Sequence, residues 1–220
     1  MDIHKPEPWR GWPEFLKEIG TIVIGVLIAL CAEQAVEWLH WRHETQGVMT
    51  AIRSELARDA AALQGFGTQD ACIDKRLALL ADWSRGNVHI NSEHLADMDS
   101  RPRLWSLYSS AWEVAKTGTV AAHIPVEERN KLASLYDQIA NQEAHIWRER
   151  DDWTALARFA CADKLDAEEA KALRGAIAVI RTQAAQRKFN TPDLVQAIAD
   201  FGIKPDQTLP PNSALCDAPK

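Results

Sequence analysis

The sequence has little glycine, 10 residues in 220, and few runs of β-branched residues. Its lysines and arginines are scattered at a net charge of −6, so no basic stripe indicates nucleic acid and no polybasic cluster indicates anionic lipid. It has no Cys-x-x-Cys pair, which argues against zinc. Gly-x-Ser-x-Gly, a Ser-x-x-Lys motif with its companions and a phosphate-binding glycine loop are also missing. We therefore expect no enzyme, no cofactor and no nucleic-acid partner.

Alanine, leucine and charged residues dominate the middle of the chain, which favours an all-α fold. We predict an N-terminal transmembrane helix that continues into an antiparallel helical bundle. The predicted divisions are a short cytoplasmic N-terminus (1–18), the transmembrane helix and interface (19–39), the bundle domain (40–204) and an extended C-terminal tail (205–220).

One long apolar run predicts the anchor: Ile19 to Ala32 are fourteen consecutive uncharged residues. Tryptophans stand on both sides of it, as an aromatic belt would: Trp9, Trp12, Trp38 and Trp41. A helix from Trp12 to Trp38 would rise roughly 39 Å at about 1.5 Å per residue, which matches a bilayer of about 40–45 Å with its headgroups. Membrane lipid is therefore an expected partner.

Two other interpretations of this run stay open. Fourteen residues is shorter than the roughly 17–25 usual for a spanning helix, so an interfacial or buried soluble helix is one alternative. A signal peptide cleaved near Cys31 is the other, although the preceding segment is long, acidic and proline-rich.

Small residues at a spacing of four, Thr21, Gly25 and Ala29, line one side of the predicted membrane helix. Such residues let two helices approach closely in lipid, so we expect self-association or a membrane-protein partner. The alternative is that small residues are simply common in such helices.

A polar face follows the apolar run, with Glu33, Glu37, His40 and Glu44 at helical spacing. Glu37-x-x-His40 has the spacing of di-metal sites in helical bundles, but no second copy is present, so we predict a solvated or headgroup-level face and no metal. Glu33 lies at the end of the run, which favours interfacial exposure over an ion-relay role.

The cysteines allow a disulfide if the domain is exported. Cys72 with Cys216 is the preferred pair, since it would tie down the proline-rich tail; free or buried thiols are the alternative. Lys5, Arg10 and Lys17 precede the run, and Arg42 and Arg53 are the nearest bases after it. This slight bias favours a cytoplasmic N-terminus and, in a bacterium, a periplasmic domain on the inner membrane.

Apolar periodicity predicts the helices of the domain. A first helix through 48–63 should end at Gly65-Phe66-Gly67, and a second should run over 69–85 and close at Gly86. Residues 87–102 read as a loop. The remaining predicted helices are 103–116, Pro125 to about Cys161, one from the N-cap Asp166 that kinks or ends at Asn190-Thr191-Pro192, and 193–201.

The domain is rich in tryptophan. Trp105, Trp112, Trp147 and Trp153 fall at core spacing with leucine and tyrosine, which favours packing over a ligand pocket. An aromatic pocket would instead make the chain a periplasmic small-ligand-binding module.

Two stretches resemble a bacterial family of single-pass membrane proteins of unknown function. The first is residues 18–30, Glu-Ile-Gly-Thr-Ile-Val-Ile-Gly-Val-Leu-Ile-Ala-Leu, followed by Glu33, Gln34 and Trp38. The second is 112–120, Trp-Glu-Val-Ala-Lys-Thr-Gly-Thr-Val, followed by Ile124-Pro125 and 132–136. The match covers about a third of the chain. It implies a membrane anchor and a helical domain, and it carries over no activity and no catalytic residue. The expected role is an accessory, assembly or oligomerising subunit of a membrane complex.

Overall fold

A computed structural model describes residues 11–97, 101–160, 162, 164–210 and 215. Helices dominate these residues and no strand occurs among them, which confirms the all-α fold class. The α-helices within these ranges are α1 (Trp12–Trp83), α2 (Ser110–Thr117), α3 (Val126–Ala155) and α4 (Ala167–Ala199). Short 3-10 turns lie at Ser92–Leu95, Thr119–His123 and Leu156–Phe159.

The chain divides into two compact units, Met1–Gly47 and Val48–Lys220. In the first unit, α1 carries a stretch long and apolar enough to cross a membrane, and none of its 18 most apolar consecutive residues is buried. The second unit holds the hydrophobic core. A boundary between compact units does not locate a membrane surface, so the predicted division at 39/40 stays a prediction.

The core of the second unit is built from the apolar faces of α1, α3 and α4, as the periodicity predicts. Burying one leucine or isoleucine stabilises the fold by roughly 1.5–3 kcal/mol. Two polar pairs show that α3 and α4 run in opposite directions, because Gln142 contacts Asn190 while Glu149 contacts Arg187. Fully buried members of the core are Ile52, Leu56, Leu63, Leu77, Leu80, Leu132, Ile146, Leu173, Ile180 and Ile198.

Two predicted helix ends are confirmed in detail. Asp166 caps α4 through a capping box: its carboxylate accepts from the Glu169 backbone N–H at 2.7 Å, and the Glu169 carboxylate accepts from the Asp166 N–H at 2.9 Å. Gly86 follows α1 with φ +74°, a left-handed conformation that favours glycine. Its N–H donates to the Trp83 carbonyl at 2.9 Å.

The predicted break at Gly65-Phe66-Gly67 is wrong, because α1 continues through it to Trp83. Phe66 is buried in the core, so this stretch lies on the packed face of the helix. A Cβ at Gly65 would come within 2.7 Å of a ring carbon of Trp105. Glycine is therefore needed there for close approach of an aromatic ring and does not act as a helix terminator.

The predicted helix over 103–116 is wrong in its first half, since α2 begins only at Ser110. Residues 103–109 are irregular, and side chains from α1 and α3 supply hydrogen bonds that a helix would have made internally.

Of the two outcomes predicted at Pro192, a kink or a helix end, the end is wrong and the kink stays a prediction. Pro192 lies inside α4, which continues to Ala199, so the short helix predicted at 193–201 is part of α4. Thr191, the residue before Pro192, donates its hydroxyl to the Arg187 carbonyl at 2.7 Å. The helix predicted from Pro125 to about Cys161 is shorter than predicted. In the structure α3 ends at Ala155, and the 3-10 turn Leu156–Phe159 follows it.

Candidate functional site

The small-residue face of the predicted membrane helix is exposed. Thr21, Gly25 and Ala29 are all exposed in the first unit, and the Thr21 hydroxyl donates to the Lys17 carbonyl at 2.9 Å. A Cβ at Gly25 would meet nothing within 4 Å. The face is therefore free to receive another helix, and the pairing itself stays a prediction.

The tryptophans that flank the run differ in their surroundings. Trp12 is exposed and meets the edge of Phe15, with ring centroids 6.2 Å apart. Trp38 is exposed, with the Arg42 guanidinium 5.2 Å from its ring centroid. Trp41 is half-buried, and Trp9 lies outside the described residues. An aromatic belt at these positions stays a prediction.

The polar face after the run makes local contacts. The Trp41 indole N–H donates to the Glu37 carboxylate at 3.4 Å, and the His40 ring lies 5.2 Å from the Trp41 ring. Among the described residues, no group of three histidine, cysteine or acidic side chains could hold a metal ion. The Glu37-x-x-His40 spacing therefore finds no further ligands in that part of the chain.

Cys72 is disulfide-bonded. Cys216 lies outside the described residues, so the predicted Cys72–Cys216 pairing stays a prediction. Cys31 is a free, exposed thiol on α1.

The tryptophans of the second unit pack against separate neighbours. Trp112 stacks on Tyr136 with ring centroids 5.6 Å apart and planes at 7°. Trp105 lies against Phe66 at 5.6 Å, Trp153 is buried, and Trp147 is half-exposed beneath the Arg150 guanidinium. These contacts match the packing interpretation.

An acidic cluster of Glu55, Asp59 and Glu143 lies where the irregular segment 103–109 crosses the helices; Glu55 and Asp59 are buried and Glu143 is half-buried. Glu55 accepts from the Ser110 hydroxyl at 2.7 Å and from the Ala111 N–H at 2.9 Å, so it caps α2 from a distant helix. Its other oxygen accepts from the Tyr136 hydroxyl at 2.9 Å.

The other two acids hold the segment directly. Asp59 accepts from the Tyr108 N–H at 3.0 Å, and Glu143 accepts from the Leu107 N–H at 2.6 Å. The acidic cluster thus satisfies three backbone N–H groups that have no helical partner, which buried backbone requires.

Neutral and cationic groups hold the beginning of the segment. The Gln69 amide pairs with both backbone groups of Arg103, accepting from its N–H at 2.9 Å and donating to its carbonyl at 3.0 Å. The Arg150 guanidinium donates to the Leu104 carbonyl. Leu104 and Leu107 are thereby kept in the core.

The surroundings raise the pKa of two groups at this site, Asp59 and Tyr136. Burial raises the pKa of Asp59 from 3.8 to about 8; the Tyr108 N–H and Arg58 oppose this rise, and Glu55 and Glu143 add to it. Burial, with the hydrogen bond to Glu55, also raises the pKa of Tyr136. Asp59 is therefore a proton-holding group at neutral pH.

Sequence reasoning missed this cluster. Glu55 and Asp59 are four residues apart and alternate with the apolar positions Ile52, Leu56 and Leu63, which is the only sequence signal that they give. That spacing is equally typical of a solvated helix edge, and Glu143 is 84 positions beyond Asp59 in the sequence.

A groove of about 660 Å³ also opens on the second unit, beside the first turns of α3 and the last turn of α4. It combines apolar residues with charged ones, and none of the tryptophans lines it. Its lining includes Arg53, Glu128, Lys131, Leu135, Asp200 and Phe201.

No family model matches the chain, and comparison with curated proteins and with solved structures finds no match either.

Proposed function

We propose that the chain is a single-pass membrane protein with a non-enzymatic role, an accessory, assembly or oligomerising subunit whose helical bundle is exported. The observation that carries this proposal is the exposure of the large apolar side chains of α1 between Ile19 and Leu30. Leaving apolar surface in water costs about 25 cal/mol per Å², so such a stretch is more stable in an apolar environment. The hydrocarbon core of a lipid bilayer supplies that environment.

The small-residue face gives the proposed subunit its contact surface. In lipid, helices associate mainly through close packing and hydrogen bonds, and Thr21, Gly25 and Ala29 permit close approach. A second copy of the chain or another membrane helix would lie along this face.

The distribution of charge and the disulfide at Cys72 support an orientation. The excess of lysine and arginine before the run supports a cytoplasmic N-terminus. The disulfide at Cys72 supports an oxidising compartment for the second unit. With the resemblance to bacterial single-pass proteins, this supports an inner-membrane protein with a periplasmic bundle.

Cysteine crosslinking in native membranes tests the contact surface. In a full-length Cys31→Ser background, Ala29→Cys places a thiol on the small face, and Leu27→Cys places one roughly 160° away, at about 100° of rotation per residue. We expect oxidant to crosslink the Ala29→Cys chain at least fivefold more than the control, to itself or to a membrane partner. Equal crosslinking at both positions would contradict helix pairing through this face.

A small-ligand-binding module is the second candidate, and the groove beside Lys131 and Phe201 favours it. Native mass spectrometry of the full chain in mild detergent separates the two. A bound molecule of defined mass that is lost in Lys131→Glu would favour the module. A bound protein partner or a dimer, without a small molecule, would favour the subunit.

A further inference from the structure

Asp59 is the least satisfied member of the acidic cluster. It has no exposed surface, and its Oδ1 accepts from the Tyr108 N–H at 3.0 Å. Its Oδ2 is buried and has no hydrogen-bond partner among the described residues. A buried carboxylate oxygen without a hydrogen-bond partner disfavours the charged form of the group.

Four charged or titratable groups of the described residues affect the charge of Asp59. On α1 these are Glu55, one turn away, and Arg58 at its side; on α3 they are Glu143 and Tyr136. Arg58 is exposed and lies over the Tyr108 ring, 5.5 Å from its centroid. The exposed cation Arg58 therefore favours the charged form of Asp59, and the neighbouring acids Glu55 and Glu143 disfavour it.

The segment 103–109 covers this site. If Asp59 loses its proton, the hydrogen bond from the Tyr108 N–H becomes stronger, because its acceptor is then charged. The desolvation of a buried carboxylate with a free oxygen opposes this gain, and two neighbouring acids add repulsion. Movement of the chain around Leu107 and Tyr108 would let water solvate the charge, so the balance favours release.

We propose that the acidic cluster is a proton-operated latch on the segment 103–109: with a proton on Asp59 the segment is held on α1 and α3, and loss of that proton to solvent releases its second half. The first half stays in place, because the Gln69 amide that holds Arg103 carries no titrating charge. This proposal does not depend on the membrane role.

The pH range follows from linkage. In the closed state burial raises the pKa of Asp59 to about 8, and in the released state the carboxyl returns toward its ordinary 3.8. Between these values the closed state binds more protons, so the opening equilibrium increases by up to about tenfold per pH unit and levels off near pH 8.

Hydrogen exchange of the full-length chain in detergent tests the latch, with rates corrected for intrinsic exchange and measured from pH 5 to 9. We expect the protection of the Leu107 and Tyr108 amides to fall up to tenfold per unit to about pH 8, while the Arg103 amide changes much less. In Asp59→Asn this dependence should vanish. Asp137→Asn, an exposed change on α3, is the matched control and should behave as wild type.

A surface variant keeps the test decisive if Asp59→Asn does not fold. Arg58 lowers the pKa of Asp59, so Arg58→Gln should move the levelling-off point to higher pH. If Arg58 only packs on Tyr108, Arg58→Gln lowers the protection of the Leu107 and Tyr108 amides equally at every pH. The pH at which protection levels off then stays where it is in wild type, and this result would overturn the proposal. Identical pH dependence in wild type and a folded Asp59→Asn would overturn it as well.

Discussion

Arg187 and Glu149 form an ion pair inside the second unit, with Nε 2.8 Å from Oε2 and each side chain 1% exposed. Asp70 accepts from the same guanidinium at 3.0 Å, and the Phe66 ring lies 5.6 Å from its Cζ. The pair joins α3 to α4, and Asp70 extends it to α1. A buried pair adds little net stability, but breaking one leaves an uncompensated charge.

Glu149→Gln should therefore lower the free energy of unfolding by about 3–5 kcal/mol, because Arg187 loses its main counter-charge. Chemical denaturation of the full chain in detergent, followed by circular dichroism, measures this. Glu127→Gln breaks the exposed Glu127–Lys131 pair and is the control, with little change expected. Equal losses in both variants would contradict a special role for burial.

Two glycines in α1 should respond in opposite directions to alanine. Gly65→Ala forces its Cβ against the Trp105 ring and should destabilise the domain by about 1–3 kcal/mol. Gly67→Ala meets nothing within 4 Å and should stabilise the helix by up to about 1 kcal/mol. Thermal unfolding of the two variants side by side measures both. A stabilised Gly65→Ala would show that Trp105 does not constrain that position.

Arg76 is a buried cation without a described hydrogen-bond acceptor or ion-pair partner. It is 5% exposed, its Nε has no hydrogen-bond partner among the described residues, and burial lowers its pKa. Arg76→Met keeps the aliphatic volume and removes the buried charge, so we expect stability to increase by about 1 kcal/mol. Denaturant titration measures this free energy of unfolding, provided that its slope against denaturant concentration is the same in the variant and in wild type. A loss of more than that amount would instead reveal an acceptor for the guanidinium.

Global stability should depend on pH through Asp59. Its pKa is raised on folding, so its contribution is complete below about pH 4 and is lost as pH rises toward about 8. The slope in this range approaches about 1.4 kcal/mol per pH unit. Relative to wild type, Asp59→Asn should therefore gain melting temperature steadily from pH 5 to 8. A constant difference across that range would show that Asp59 is ionised in the folded protein.

The sequence could predict those parts of the fold that depend on local chemistry. Asp166 with Glu169 three residues later is a capping signal, and Gly86 supplies a left-handed turn that other residues adopt with difficulty. The apolar faces of α1, α3 and α4 follow from periodicity alone. The long apolar run before Glu33 is equally local.

What sequence reasoning missed depends on contacts between distant residues. Gly65 reads as a helix end until Trp105, forty positions later, packs on it. Residues 103–109 have helical periodicity, yet hydrogen bonds from Gln69, Asp59 and Glu143 stabilise a different path. The acidic cluster could not be recognised without that path, because the groups that donate hydrogen bonds to it include backbone N–H groups, which have no sequence signature.

Membrane fractionation of cells that express the full chain, followed by alkaline carbonate extraction and intact-mass measurement, tests the central claim most directly. The account predicts an uncleaved chain that stays with the membrane pellet through carbonate and is released only by detergent. A soluble intact chain, or a mature protein that begins after Cys31, would contradict the proposal that α1 is a membrane anchor.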